Sequence, residues 1–226
     1  MTFPDILAYV SSLGVFFPLI IAIIRRENFT LELKLMFVYI IVSTLTEIIA
    51  TFWARYLHSP NHFMLNIFSV VECLLLVLMY REVFINKLVK RITLITISVF
   101  TFFAIFNFTE TSNFVKFNSL INSIACIIII ICVFIYFFQL LQTLTVQKLS
   151  VTPMFWISVA CLLYFSGTLF LFLYGETVLF HKSPFFKELW VIYFILSFIF
   201  RIFLAIGLWF SKTPLQLKSS SKSAQS

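Results

Sequence analysis

The chain has 226 residues, of which 62% are apolar and 31 are Phe, and its mean hydropathy is +1.07. Only 11% of the residues are charged, too few to cover a water-soluble globule with polar surface. That composition excludes a soluble domain and predicts an integral membrane protein, so the net charge of +7 reads as topology and contact with anionic lipid, with no role for nucleic acid.

Seven apolar runs reach or approach the ~20 residues that cross ~30 Å of hydrocarbon. They lie at about 5–24, 35–54, 62–80, 92–108, 118–141, 154–174 and 189–210, the fourth being the shortest. None alternates with a two-residue period, which predicts helices and not barrel strands. The first run has Asp5 ahead of it, lacks a basic leader and shows no small-residue cleavage pattern, so it is expected to stay as a helix. Pro18 inside that run predicts a kink. His58-Ser59-Pro60-Asn61 predicts a tight turn that pairs the second and third helices as an antiparallel hairpin. Pro153 and Pro184 stand just before the sixth and seventh helices, where Pro suits a helix start. The whole of 1–212 is thus expected to be one all-α, polytopic seven-helix bundle, and the polar, Ser-rich 213–226 a disordered tail.

Orientation follows from the basic residues. Eleven Lys and Arg fall on the side of the 25–34, 81–91 and 142–153 loops and the tail, against four (Arg55, Lys116, Lys182 and Lys187) on the other. The positive side favours the cytoplasm, so the N-terminus is expected outside and the C-terminus inside a cell membrane of bacterial type. Cys73, Cys126, Cys132 and Cys161 all fall within predicted spans and form no C-x-x-C pair, as expected of reduced, buried thiols. No Gly-x-x-x-Gly pair occurs, so close helix crossings are not expected.

Charges inside spans are costly on a lipid-facing surface, by ~2.5–3.5 kcal/mol each on insertion scales, and therefore informative. Glu47, Glu72 and Arg201 qualify. At ~1.5 Å per residue, Glu72 and Arg201 lie roughly 12–14 Å from the cytoplasmic end and Glu47 about 18 Å. Matched depth and opposite charge predict a Glu72–Arg201 pair with Glu47 above it. Polar residues at helical spacing extend the pattern: Tyr193, Ser197 and Arg201 on the seventh helix; Ser43, Glu47 and Ala50 on the second; His62, Asn66, Ser69 and Cys73 on the third; Asn118, Asn122 and Cys126 on the fifth. Glu47, Glu72, Arg201, Asn66, Tyr193 and Ser197 are accordingly the candidate ligand- or proton-binding residues. His58, His62 and His181 all fall on the expected outer side, but Pro60 interrupts the one useful spacing, so no metal site is expected.

Several familiar arrangements are missing. The chain contains no G-x-S-x-G, H-E-x-x-H or P-loop pattern, and no His lies in a span near Ser166 to act as its base, so neither an enzyme nor a cofactor is expected. The last span has no Lys to hold retinal. Small sugar transporters with a three-one-three helix plan carry paired prolines in both repeats, whereas here only Pro18 lies within a span and the first three helices do not match the last three in sequence. Asn61…Asn66-x5-Glu72, Tyr164-Phe165-Ser166-Gly167 and Leu189-Trp190-Val191-Ile192 resemble a group of small bacterial seven-helix integral membrane proteins of the same length. Those proteins have no assigned activity, and some are encoded beside sensor kinases. The resemblance implies the same topology and favours signalling.

The leading expectation is a membrane sensor or signalling component that takes a small or hydrophobic ligand within the bundle. Its partners would be the lipid bilayer and a cytoplasmic or membrane signalling protein. The alternatives are a small proton-coupled secondary transporter, which would carry an internal repeat and broken helices, and a structural or assembly protein.

Overall fold

A helix satisfies its own backbone, so a chain this apolar folds as helices wherever about twenty residues run without a breaker. The computed structural model describes residues 10–56, 61–110, 116–143, 151–180 and 186–211, and at 54–55, 174–180 and 186–188 it describes the backbone alone. Among the described residues seven α-helices follow one another: α1 (Phe16–Arg25, led by a helical turn at 10–14 that is counted with it), α2 (Leu31–Tyr56), α3 (His62–Val83), α4 (Lys87–Asn107), α5 (Ser119–Thr143), α6 (Pro153–Phe180) and α7 (Phe186–Trp209). No strand occurs among the described residues. Six helices are long and apolar enough to cross a membrane, namely α2 to α7. The expected disordered tail, Pro184, and the His58 and His181 sites lie outside the described residues.

Most helices outrun the apolar stretches that predict them. Leu31–Lys34 and Lys87–Arg91 carry five charged residues between them, yet are helical. Hydropathy marks the hydrocarbon-embedded part, while backbone hydrogen bonding continues until a cap ends it. Asn86 caps α4 by accepting from the Leu88 N–H at 2.8 Å, and Asn118 caps α5 by accepting from Ile121 N–H at 3.1 Å. Pro153 opens α6, as its missing N–H favours.

The kink expected at Pro18 takes a particular form. Residues 10–14 are helical, Val15 is a turn, and α1 resumes at Phe16. Val15 keeps a helical backbone (φ −64°, ψ −25°), but its N–H bonds back to Ser12 O at 3.4 Å. Pro18 offers no N–H to Gly14 O, so the ladder lapses one turn before it. The Ser11 carbonyl is thereby left for another donor.

Contacts between helices close a ring in the order α1–α2–α3–α5–α6–α7, with α7 returning to α1; α4 stands outside and packs on α3. Two consecutive triplets, α1–α3 and α5–α7, therefore meet along α3–α5 and α7–α1. One residue offset relates Tyr39 to Tyr164, Phe68 to Tyr193 and Glu72 to Ser197. The ring centroids of Tyr39–Phe68 and Tyr164–Tyr193 lie at 6.4 and 6.3 Å, respectively. The order of helices repeats although the sequence does not.

Close approach occurs where sequence offered no Gly pair. A Cβ on Gly207 would meet Pro153 O and Ile157 Cγ1, both at 3.0 Å, and one on Gly167 would lie 2.6 Å from Leu196 Cδ1. Gly167 on α6 and Gly207 on α7 let the two helices pack tightly. The buried core centres on Met36, Ile40, Leu76, Tyr80, Ile129, Ile157, Phe165 and Leu204. All four cysteines are free and buried. The outside is apolar as well: Ile24, Leu45, Phe52, Phe102, Phe106, Phe134, Phe138 and Phe170 are exposed, a surface suited to lipid and not to water.

A polar cavity at the centre of the ring

α1, α2, α3, α6 and α7 enclose a partly open cavity with about 70 Å³ of space for water. At roughly 10–15 Å³ per water position, a handful of waters or one very small solute fits. Its polar lining comes from Ser43, Thr46 and Glu47 on α2, Glu72 on α3, and Tyr193, Ser197 and Arg201 on α7. Tyr39, Phe68, Tyr164 and Phe200 supply aromatic walls. Val15 and Pro18 close it from α1, beside the lapse in the ladder.

Arg201 pairs with Glu47 and not with Glu72. Its Nη2 donates to Glu47 Oε2 at 3.1 Å, and Nη1 donates to the freed Ser11 carbonyl and to Ser11 Oγ. Ser12 Oγ donates to the other Glu47 oxygen at 2.6 Å. Depth counted at Cα misses this because side chains in a helix lean toward its N-terminus. Ser11 lies beside Arg201, and the Arg25 guanidinium lies 4.6 Å over the Trp209 ring, so α1 and α7 run parallel. The short connection after α1 turns α2 the other way. Glu47 and Arg201 therefore lean toward each other, whereas Glu72, on α3 parallel to α7, leans the same way as Arg201 and is met by Tyr39 instead.

Glu72 is 8% exposed and accepts one hydrogen bond, from Tyr39 Oη to Oε1 at 2.7 Å. No Lys, Arg or His lies within 4.0 Å of it among the described residues. Tyr164 Oη donates to Tyr193 Oη at 3.4 Å, and Phe200 stacks on Tyr164 at 4.7 Å while standing edge-on to Tyr39 at 6.3 Å. Ser197 is buried on the same face of α7.

Asn66 lies outside the cavity lining and does other work. Its Nδ2 donates to Lys116 O at 2.7 Å, and its Oδ1 accepts from Asn118 N–H at 3.1 Å and from Asn122 Nδ2 at 3.4 Å. It holds the start of α5 against α3. On the opposite end, Gln139 donates to Val83 O at 3.1 Å and accepts from Ile85 N–H at 2.8 Å, closing the end of α3. His62 begins α3, its ring 6.2 Å from Phe117. No group of three or more His, Cys, Asp or Glu that could hold a metal occurs among the described residues.

Sequence reading missed Tyr39, Tyr164, Phe68, Phe200, Ser11 and Ser12. Tyr39 was within reach, since Tyr39, Ser43 and Glu47 continue one stripe at four-residue steps. The others carry no charge and stand among many Phe and Ser, so nothing local marks them.

The fold and cavity define an all-helical bundle, apolar outside, with a charged centre built by five of its seven helices. No known protein family, curated protein or solved structure matches the chain.

Proposed function

We propose that the protein is a multi-pass cell-membrane transporter of a small solute, coupled to protons at Glu72, with its N-terminus outside and C-terminus in the cytoplasm. The observation that carries the reading is the cavity at the meeting of two triplets with the same helix order, beside a lapse in the α1 ladder. Repeats meeting around a midplane site, with backbone freed by an interrupted helix, are what alternating access requires. Glu72 supplies a carboxylate that no cation among the described residues pairs with, so a proton can come and go there as solute binds and leaves. The cavity volume favours a solute of a few heavy atoms over a larger hydrophobic ligand.

The test is proton movement in proteoliposomes carrying a pH-sensitive dye, challenged with amines, small carboxylates, amino acids and sugars. We expect one class to dissipate an imposed pH gradient with wild-type protein and not with Glu72→Gln. Flux unaffected by Glu72→Gln, or no class moving protons, overturns the reading. Sensing through the same cavity is the second reading, favoured by the Glu47–Arg201–Ser11 linkage across α2, α7 and α1, where a ligand could bias helix packing. Stabilisation by a ligand without flux selects it.

A further inference from the structure

The cavity holds two carboxylates and one guanidinium, and the guanidinium is already committed. Arg201 spans Glu47 and the Ser11 carbonyl, leaving Glu72 with a tyrosine hydroxyl alone. With all three ionised, the cavity carries one excess negative charge in a space with room for only a handful of waters, an arrangement that favours taking up a single positive charge. An anion finds no free cation there.

The walls indicate which kind of cation. Tyr39, Phe68, Tyr164, Tyr193 and Phe200 surround the Glu72 side of the cavity. A divalent metal ion would bring two positive charges against one excess negative charge, whereas a ring face attracts an ammonium group of matching charge. Ser197 adds a hydroxyl that can accept from an N–H.

We infer that the cavity binds a small organic monocation of the ammonium class, held by Glu72 and the faces of Tyr39, Tyr164 and Phe200. This deepens the proposed function by naming the solute class, and it rests on the cavity being the binding site, not on flux. Binding neutralises the cavity just as a proton on Glu72 does, so ammonium and proton compete for one place.

The experiment is equilibrium binding of methylammonium to the purified full chain in detergent, followed by calorimetry and by unfolding temperature. Sodium at equal ionic strength and methanol serve as charged and uncharged controls. Saturable stabilisation by methylammonium, absent with either control, is expected. Glu72→Gln should abolish it, and Tyr164→Leu should weaken it about 2- to 30-fold, the range of a buried cation–π contact. Glu47→Gln separates charge balance from contact: it leaves Arg201 to offset Glu72, so methylammonium binding should fall although Glu47 does not hold the ligand.

Equal effects of methylammonium and sodium, equal effects of methylammonium and methanol, or unchanged binding in both Glu72→Gln and Glu47→Gln overturn the inference. If Glu72→Gln does not fold, Glu47→Gln and Tyr164→Leu decide. Binding without flux in vesicles would sink transport and keep this inference, whereas proton-coupled flux of another solute class without methylammonium binding would do the reverse.

Discussion

Arg201 shows how much one long side chain can organise inside a membrane protein. It takes the carbonyl that the lapse at Val15 releases and balances Glu47, joining α1, α2 and α7 at one point. A double-mutant cycle of Arg201→Met and Glu47→Gln, read by unfolding in denaturing detergent, should give a coupling of about 1–3 kcal/mol. The 32% exposure of the Glu47 side chain argues for the lower part of that range. The parallel cycle of Arg201→Met with Glu72→Gln should give a clearly smaller coupling, since the two share the cavity but make no contact. A strong coupling there, with none to Glu47, would restore the pairing that depth alone suggested.

At the scale of elements, the tight seam is α6 against α7. Gly207 faces a backbone oxygen of Pro153, which cannot rotate away, while Gly167 faces the methyl ends of Leu196, which can. Gly207→Ala should therefore cost about 1–3 kcal/mol of stability or displace the start of α6, by overpacking. Gly167→Ala should cost less. Thermal unfolding of the two variants in the same detergent compares them, and equal losses would contradict the distinction. The opposite case is α4, whose Ile92, Ile95, Val99, Phe102, Ile105 and Phe106 are exposed and which meets the ring chiefly through α3. It serves to bring the chain back across, so that the second triplet starts on the same side as the first.

For the whole molecule, the testable quantity is orientation. On the orientation proposed from the Lys and Arg imbalance, the 81–91 connection would lie inside and the 109–117 connection outside. The four native cysteines are buried and should react slowly. Lys116→Cys should then label with a membrane-impermeant maleimide in intact cells, and Lys87→Cys only after lysis. The reverse pattern would invert the topology and with it the direction of any transport.

Sequence alone determined α2 to α7, the apolar exterior and the few polar residues worth following, because each depends on a local property; the first of the seven expected spans is not among the six helices long and apolar enough to cross. Whether some twenty residues prefer hydrocarbon is decided by those residues, and a buried charge stands out wherever it occurs. Glu47, Glu72, Arg201, Tyr193 and Ser197 were all readable in that way, and all line the cavity. What only the tertiary structure decided was who meets whom: Arg201 with Glu47, Glu72 with Tyr39, Asn66 with the start of α5, and two triplets around one centre. Those outcomes depend on ring order and on which way antiparallel helices lean their side chains, and neither is encoded in any one segment.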